Sequence, residues 1–271
     1  MERIILIETS TALCSVGLAE NGVIVDYRES SAPKAHASLT AVFIQEMLEG
    51  RGLSVADCDA VCVSMGPGSY TGLRVGVSTA KGLCFGARKP LIAVGTLDTL
   101  VAQAGLRLAP PVQNADKEGT SIMSSEAGTS ADYKYIVPMI DARRMEVYTA
   151  VFKKNDLGNT DHIIPSETGN QDREVSHFGQ ITETAPMIID ENSFADILAD
   201  GPVLFIGDGA GKCADVIKHP NAHFCQCHPK ASSMLSPALA SYKEKRFEDV
   251  AYFEPFYLKE FVATVSKKKL F

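Results

Sequence analysis

The chain has 271 residues, and its 33 acidic against 26 basic side chains give a formal charge of −7. Apolar residues make up 45% of the sequence, which is ordinary for a globular protein with a sizeable core. The acidic balance argues against strong nucleic-acid binding by this chain alone, because phosphate contacts need clustered Lys and Arg. No run of about 18 apolar residues occurs, so no membrane-spanning helix is expected.

Three further features of the composition bear on location and organisation. Only residues 4–7 form an apolar run before Glu8, so a signal peptide is not expected. Seven Cys residues, an odd number, favour free thiols in a reducing cytosol, and a cytoplasmic location is predicted. Residues 1–110 carry a net charge of −1 and the remainder carries −6.

The chain opens with three predicted strands. Residues 3–7 form a β-branched run, which is typical of a strand buried on both faces. Residues 14–19 and 23–27 flank Asn21-Gly22, and Asn-Gly between two apolar runs is the strongest short signal for a β-hairpin. Strands and helices then alternate, which predicts an α/β layered domain. The predicted elements are a helix over 35–49, a strand over 60–63, a loop over 67–71, a helix over 72–87, a strand over 91–94 and a helix over 96–107.

The second part of the chain repeats this plan. A buried run at 135–140, a polar break at 141–144 and a second run at 146–152 follow one another as in the opening segment. This pattern predicts two similar units in tandem, an N-terminal lobe at 1–110 and a C-terminal lobe at 111–271. Polar, turn-rich stretches at about 111–132 and 154–186 are predicted to be mobile loops.

Candidate nucleotide-binding residues lie after the predicted buried strands. Residues 207–212 are rich in glycine, but Ile206 and Cys213 stand where a phosphate-binding P-loop needs Gly and Ser or Thr. A strand-to-helix turn and a nucleotide contact both remain open for this stretch. Glu8 and Asp141 occupy matching places in the two repeats, yet no glycine follows either acid closely enough for a tight approach to phosphate. The sequence thus predicts at most a vestigial nucleotide cleft, with the candidates Glu8, Thr9, Ser10, Asp141, Gly207, Asp208 and Gly209.

Metal and nucleophile chemistry find little support. No His pair has the helical metalloprotease spacing, because His36 is followed four residues later by Thr40. Ser69 has no assignable His or acid, so no catalytic residue is predicted. Four possible ligands lie close together without a second ligand pair elsewhere, and no metal site is predicted. These are His223, Cys225, Cys227 and His228.

The segment 72–87 is unusual for a helix because it is charged only at Arg74 and Lys81 and contains four glycines. Each glycine costs about 1 kcal/mol relative to Ala in an exposed helix, so close packing must compensate. Packing inside the lobe and packing against a partner subunit are both open.

A longer block makes the chain recognisable. Residues 64–76 read Ser-Met-Gly-Pro-Gly-Ser-Tyr-Thr-Gly-Leu-Arg-Val-Gly and follow an opening Ile-Leu-Ile-Glu-Thr-Ser-Thr. With the segments at 95–98, 141–148 and 207–210, this block resembles the TsaB family, formerly YeaZ, over nearly the whole chain. The resemblance implies an α/β fold of the actin-like ATPase class (ASKHA, RNase H-like) with two duplicated lobes.

The resemblance also implies a function. Such proteins look like non-catalytic scaffold subunits of the tRNA N6-threonylcarbamoyladenosine (t6A) transferase, which dimerise with the catalytic subunit TsaD and help recruit the ATPase TsaE. ATP and metal would be used by those partners, no cofactor is expected on this chain, and tRNA would be contacted only through the complex. The metal-binding His-x-x-x-His of TsaD is absent here at His36 to Thr40. A homodimer through the same helices is the alternative assembly.

By resemblance, the partner interface lies on the predicted helices 35–49 and 72–87. Its candidate residues are His36, Leu39, Phe43, Tyr70, Leu73, Arg74, Val77 and Lys81. An active ATP-dependent enzyme of the actin-like superfamily is the alternative, based on Glu8, Asp141 and residues 207–211. A metallopeptidase is a third hypothesis with little support.

Overall fold

The structure is a computed structural model that describes residues 2–105, 133–155 and 178–258. The predicted loop at 111–132 lies outside the described residues, as do residues 156–177 of the second predicted loop. The described residues form two mixed β-sheets with helices packed on them.

The first sheet has the order β3-β2-β1-β4-β5. Its first three strands are antiparallel, and β4 and β5 continue from β1 in parallel. Asn21 and Gly22 have φ values of 49° and 76°, as a type I′ turn requires, so the predicted hairpin is confirmed. The strands are β1 (Arg3–Glu8), β2 (Cys14–Glu20), β3 (Val23–Ser30), β4 (Ala60–Gly66) and β5 (Leu91–Gly95).

Three helices accompany this sheet: α1 (Ala35–Glu49), α2 (Tyr70–Ala87) and α3 (Thr96–Gly105). Helix α2 begins two residues earlier than the sequence predicts, so Tyr70 and Thr71 are helical and do not belong to the loop. The reason is the N-terminal cap, because Ser69 Oγ accepts a hydrogen bond from the Gly72 N–H at 3.4 Å.

The second sheet repeats the first, with the order β10-β7-β6-β11-β12 and the same parallel and antiparallel neighbours. This duplicated strand order confirms the predicted actin-like fold with two lobes. Its strands are β6 (Tyr135–Asp141), β7 (Glu146–Thr149), β8 (Phe152–Lys154), β9 (Phe178–Gln180), β10 (Ala185–Ile188), β11 (Val203–Gly207) and β12 (Ala222–Gln226). Helices α4 (Ala195–Asp200) and α5 (Ala210–Cys213) pack on this sheet, whereas α6 (Leu235–Lys243) packs on the first sheet.

Strands β9 and β10 correct the prediction of a loop up to residue 186. Both are short, and β10 is an edge strand whose hydrogen bonds come from β7, a neighbour distant in sequence. Such strands carry a weak local pattern, and that is why composition alone suggested a loop.

The core packing links the two halves of the chain. Ile5 and Ile7 face α1 and α2 on one side of the first sheet, whereas Ile4 and Leu6 face α6 on the other. Each such buried aliphatic side chain contributes roughly 2 kcal/mol of transfer free energy. Helix α3, in turn, packs Leu100 against the second sheet. The division into 1–110 and 111–271 stays a prediction, and the described packing crosses it in both directions.

Candidate functional site

Glu8 ends β1 and is fully buried. Its Oε1 accepts hydrogen bonds from the Ser10 backbone N–H at 2.7 Å and from the Ser64 hydroxyl at 2.9 Å. Within the described part of the chain, Oε2 of Glu8 has no hydrogen-bond partner. Burial raises the pKa of Glu8 to about 7 although both hydrogen bonds lower it. Near neutral pH the carboxyl is therefore partly protonated.

The two residues after Glu8 are covered by helix α2. Thr9 Oγ1 donates to the Gly72 carbonyl at 2.9 Å, and the Ser69 N–H donates to the Ser10 carbonyl at 2.6 Å. A Cβ atom at Gly72 would collide with the Thr9 carbonyl oxygen, and one at Gly76 with the Thr9 hydroxyl. Contacts within the chain therefore offset the conformational cost of these glycines, because their lack of a Cβ atom lets α2 approach the β1–β2 connection closely.

Asp141 ends β6, the strand that corresponds to β1. Its backbone N–H donates to Asp208 Oδ1 at 2.9 Å. Its Oδ1 accepts hydrogen bonds from the Arg143 N–H at 2.8 Å and from the Lys212 ammonium at 2.5 Å. Burial raises the pKa of Asp208, against the lowering by the Asp141 N–H. Asp141 is thus paired with a cation that the chain itself supplies.

The glycine-rich turn after β11 is also bonded within the chain. Gly207 has a φ of 134°, and the Gly209 N–H donates to the Met139 carbonyl at 2.9 Å. The Gly211 N–H donates to Gln226 Oε1 at 2.5 Å, and Gln226 Nε2 donates in turn to the Asp208 carbonyl at 2.9 Å. These contacts favour the strand-to-helix turn over a phosphate-binding loop, because the Gly209 and Gly211 amide groups are engaged within the chain.

The His228 side chain lies between the β1–β2 connection and the turn after β11. His228 Nδ1 lies 3.2 Å from Thr11 Oγ1 on the β1–β2 connection and 3.9 Å from Asp208 Oδ2 after β11. Of these contacts, Asp208 is a predicted cleft residue of the second repeat, and Thr11 directly follows the candidates Glu8, Thr9 and Ser10 of the first. Sequence reasoning did not identify Ser64, Lys212 or Gln226 in this cluster, although Ser64 begins the block at 64–76 and Lys212 ends the glycine-rich stretch at 207–212.

The interface prediction is wrong for two of its residues, because both side chains are buried in their own chain. Leu73 is 1% exposed and lies against Gly66, and Val77 is 4% exposed in the cluster between α1, α2 and the first sheet. The apolar stripe of α2 to which they belong faces the sheet of its own chain, so neither side chain can line a partner surface.

The remaining interface candidates are at least partly exposed. His36, Leu39 and Phe43 are half-buried on α1, and Phe43 packs on the core beneath it. On α2, the Arg74 guanidinium lies 5.4 Å from the centre of the Tyr70 ring.

The C-terminal segment, residues 248–257, crosses helix α2. The Lys81 ammonium donates to the carbonyls of Ala251 at 3.1 Å and Phe253 at 3.0 Å. The Phe253 ring is buried in the core beneath α2, and the Tyr257 ring lies 4.8 Å from that of Tyr70. Much of the α2 surface that the sequence assigns to a partner is therefore covered by the chain's own C-terminal segment.

An open face of α2 remains, formed by Gly82, Phe85 and Gly86. Phe85 is 83% exposed, and a Cβ atom at either glycine would have no heavy atom within 4 Å. These residues were not among the predicted interface candidates, although the low charge of the segment was a signal for them.

The cluster around β12 places Cys225 in the core and Cys227 at its margin. A hydrogen bond from the Cys227 thiol lowers the pKa of Cys225, and Gln103 Nε2 donates to Cys227 Sγ at 3.3 Å. The described residues contain no group of three or more His, Cys, Asp or Glu that could hold a metal ion. Nor does any described helix combine the length and the apolar character that a bilayer crossing requires.

Comparison with known proteins shows which family the chain resembles. The family model described as TsaD, tRNA N6-adenosine threonylcarbamoyltransferase, matches residues 29–115. The proteins named tRNA threonylcarbamoyladenosine biosynthesis protein TsaB from Escherichia coli (strain K12) and from Haemophilus influenzae are 33% identical over 156 residues and 39% identical over 105 residues. These matches cover 58% and 39% of this chain, and 57% and 44% of the relatives' own lengths.

The solved structure of YeaZ from Pseudomonas aeruginosa shares the fold, with a TM-score of 0.69 at 21% identity over 95% of this chain and 100% of that one. These sequence similarities and the shared fold relate the chain to the TsaB family, also named YeaZ.

Proposed function

We propose that this chain is a non-catalytic subunit of the machinery that makes t6A in tRNA. Its similarity both to proteins named for t6A biosynthesis and to the TsaD family model carries the proposal. In this proposal the chain pairs with the catalytic subunit TsaD, helps recruit the ATPase TsaE and contacts tRNA only through the complex. Its net charge of −7 supports an indirect role with tRNA.

The contacts in the cleft support the non-catalytic part of the proposal. The actin-like fold implies a nucleotide and its metal ion between the lobes, but the residues present fit neither well. Glu8 is buried with a raised pKa, Asp141 is paired with Lys212, and the Gly211 N–H is bonded to Gln226. A metal ion at Asp141 would have to displace Lys212, and a phosphate at Gly211 would have to displace Gln226.

The open face of α2 supports the partner-binding part. Gly82 and Gly86 each cost about 1 kcal/mol relative to Ala in a helix, and no described atom approaches them closely enough to compensate. Close approach of a partner's helix would offset that cost and would bury the exposed Phe85 ring. TsaD is the proposed partner, and a second copy of this chain is the competing occupant.

The deciding experiment is depletion of the protein followed by mass-spectrometric measurement of t6A in digested tRNA. We expect t6A to fall and to return with the wild-type gene, and unchanged t6A would refute the proposal. Phe85→Asp should fail to restore t6A and to retain TsaD in a pull-down. Ile188→Asp is the matched control, because this side chain is 73% exposed on the second sheet and should restore both.

Calorimetry with magnesium and ATP tests the alternative of an ATP-dependent enzyme. The isolated chain should give no binding heat. Saturable ATP binding that Asp141→Asn abolishes would instead favour the enzyme.

A further inference from the structure

The Lys212 ammonium sits among three oxygen atoms at the end of β6. It donates to Asp141 Oδ1 at 2.5 Å, to the Glu146 carbonyl at 2.6 Å and to the Arg144 carbonyl at 2.8 Å. An ammonium group has three N–H donors, so this arrangement uses all of them. Lys212 therefore makes more contacts than an ordinary surface ion pair with a single carboxylate.

The oxygens converge because the β6–β7 turn is tightly wound. Arg143 and Arg144 both adopt left-handed conformations, with φ values of 72° and 50°, which cost roughly 1–2 kcal/mol for each non-glycine residue. The Glu146 carbonyl also accepts the Ala142 N–H at 3.0 Å, which closes the turn. Three oxygens held so close repel one another unless a positive charge lies between them.

We infer that Lys212 is a tethered cation, which fills an oxygen site suited to a hard metal ion and keeps that ion out of the cleft. A carboxylate and two backbone carbonyls are ligands that Ca²⁺ and Mn²⁺ accept. The inference rests on the proposed non-catalytic role. It adds to that role the residue, Lys212, that takes the place of a metal ion at the end of β6.

The site itself can be tested without any t6A assay. Removing the ammonium while leaving the three oxygens should create a metal site. Lys212→Ala does so, since it opens space next to Asp141. Lys212→Met removes the charge but keeps an apolar chain of similar length in that space, so it should lose stability without gaining metal. Lys218→Ala is the matched control, because Lys218 is exposed and its ammonium has one acceptor, the Ala214 carbonyl at 2.8 Å.

The experiment titrates each full-length variant with Mn²⁺ and measures free Mn²⁺ by electron paramagnetic resonance. Lys212→Ala should bind one Mn²⁺ with a Kd of about 1 mM or tighter, a value typical of weak oxygen sites. The wild type, Lys212→Met and Lys218→Ala should show at least about tenfold weaker binding. In about 10 mM Ca²⁺ the Tm of Lys212→Ala should rise by about 3–5 °C, and that of the others should not.

Equal Mn²⁺ binding by Lys212→Ala and Lys218→Ala would overturn the inference. A Lys212→Met variant that loses no more stability than Lys218→Ala would also overturn it. Binding that persists in Lys212→Ala combined with Asp141→Asn would also overturn it, since the metal would then lie elsewhere.

Should Lys212→Ala fail to fold, the wild-type protein still provides a test. Reductive methylation followed by peptide mass spectrometry compares the reactivity of the two lysines. Lys212 should react about tenfold more slowly than Lys218, because its three hydrogen bonds must break first. Equal rates would show that the ammonium is not held in the oxygen site. None of these readouts involves t6A, so their failure would leave the proposed function standing.

Discussion

The two sheets end their first strands in the same way, with an acid, and then treat that acid differently. Glu8 is fully buried, is hydrogen-bonded by Ser10 and Ser64, and has a pKa raised to about 7. The Asp141 side chain is 46% exposed and is paired with Lys212. Equivalent positions in a duplicated fold thus hold one acid by burial and the other by a counter-charge.

The difference lies in what covers each edge. Helix α2 has 18 residues and packs Gly72 and Gly76 onto the β1–β2 connection. Its counterpart after β11 is α5, which has four residues and leaves Asp141 open to solvent. The strand order therefore fixes where the acids lie, while the length of the following helix decides their electrostatic environment.

The largest expected effect comes from a substitution beneath helix α2, the helix that covers the end of β1. Val77→Asp places a charge in the core between α2 and the sheet, and should lower the free energy of unfolding by at least about 4 kcal/mol. Urea denaturation measures the loss. Ser78→Asp, on the exposed side of the same helix turn, should change stability by less than about 0.5 kcal/mol. Similar stability of the two variants would show that α2 does not cover the edge as described.

A pH series sharpens the electrostatic contrast. The pKa of Glu8 is raised from 4.5 to about 7 on folding, so the folded state binds this proton more tightly. Its contribution, up to about 3 kcal/mol, is fully present below pH 4.5 and is lost as the pH rises through 7. Urea denaturation from pH 5 to 8 should show this loss in the wild type and in the control Glu46→Gln, but not in Glu8→Gln. A parallel decline in Glu8→Gln would assign the pH dependence to another group.

Glycine replacements test the two ends of α2 against each other. Gly72→Ala should destabilise by about 1–3 kcal/mol, because its Cβ collides with the Thr9 carbonyl. Gly82→Ala should stabilise the isolated chain by roughly 1 kcal/mol, since its Cβ enters open space in a helix. Thermal denaturation gives the sign of both changes, and the same sign for both would contradict the described packing.

The smallest effect is expected at the second edge. Asp141→Asn removes the charge that pairs with Lys212, but the group is nearly half exposed, so solvent screening should keep the loss within about 1 kcal/mol. Urea denaturation at pH 7 measures it. A loss of stability as large as that of Val77→Asp would show that the end of β6 depends on Asp141 as strongly as the end of β1 depends on the packing of α2.

Local signals in the sequence predicted the elements that depend on neighbouring residues. The hairpin at Asn21-Gly22 and helix α1 at Ala35–Glu49 both match the structure, since turn chemistry and helical periodicity act over a few residues. Matching acids at Glu8 and Asp141 could also be recognised, because the two repeats share their strand pattern.

Contacts between distant parts of the chain could not be predicted. Periodicity identifies the apolar stripe of α2 but not its cover, and so Leu73 and Val77 were assigned to a partner when the chain's own sheet buries them. The ion pair between Asp141 and Lys212 joins residues 71 positions apart, and no local pattern marks it.

The return of the C-terminal part to the first sheet has a consequence for biosynthesis. Ile4 and Leu6 leave the ribosome long before Met234 and Ala238, the residues of the α6 region that help to cover them. One face of the first sheet must therefore stay exposed, or be shielded by another protein, until the α6 region has been translated. The first sheet is made early, but its core is complete only after the α6 region has emerged.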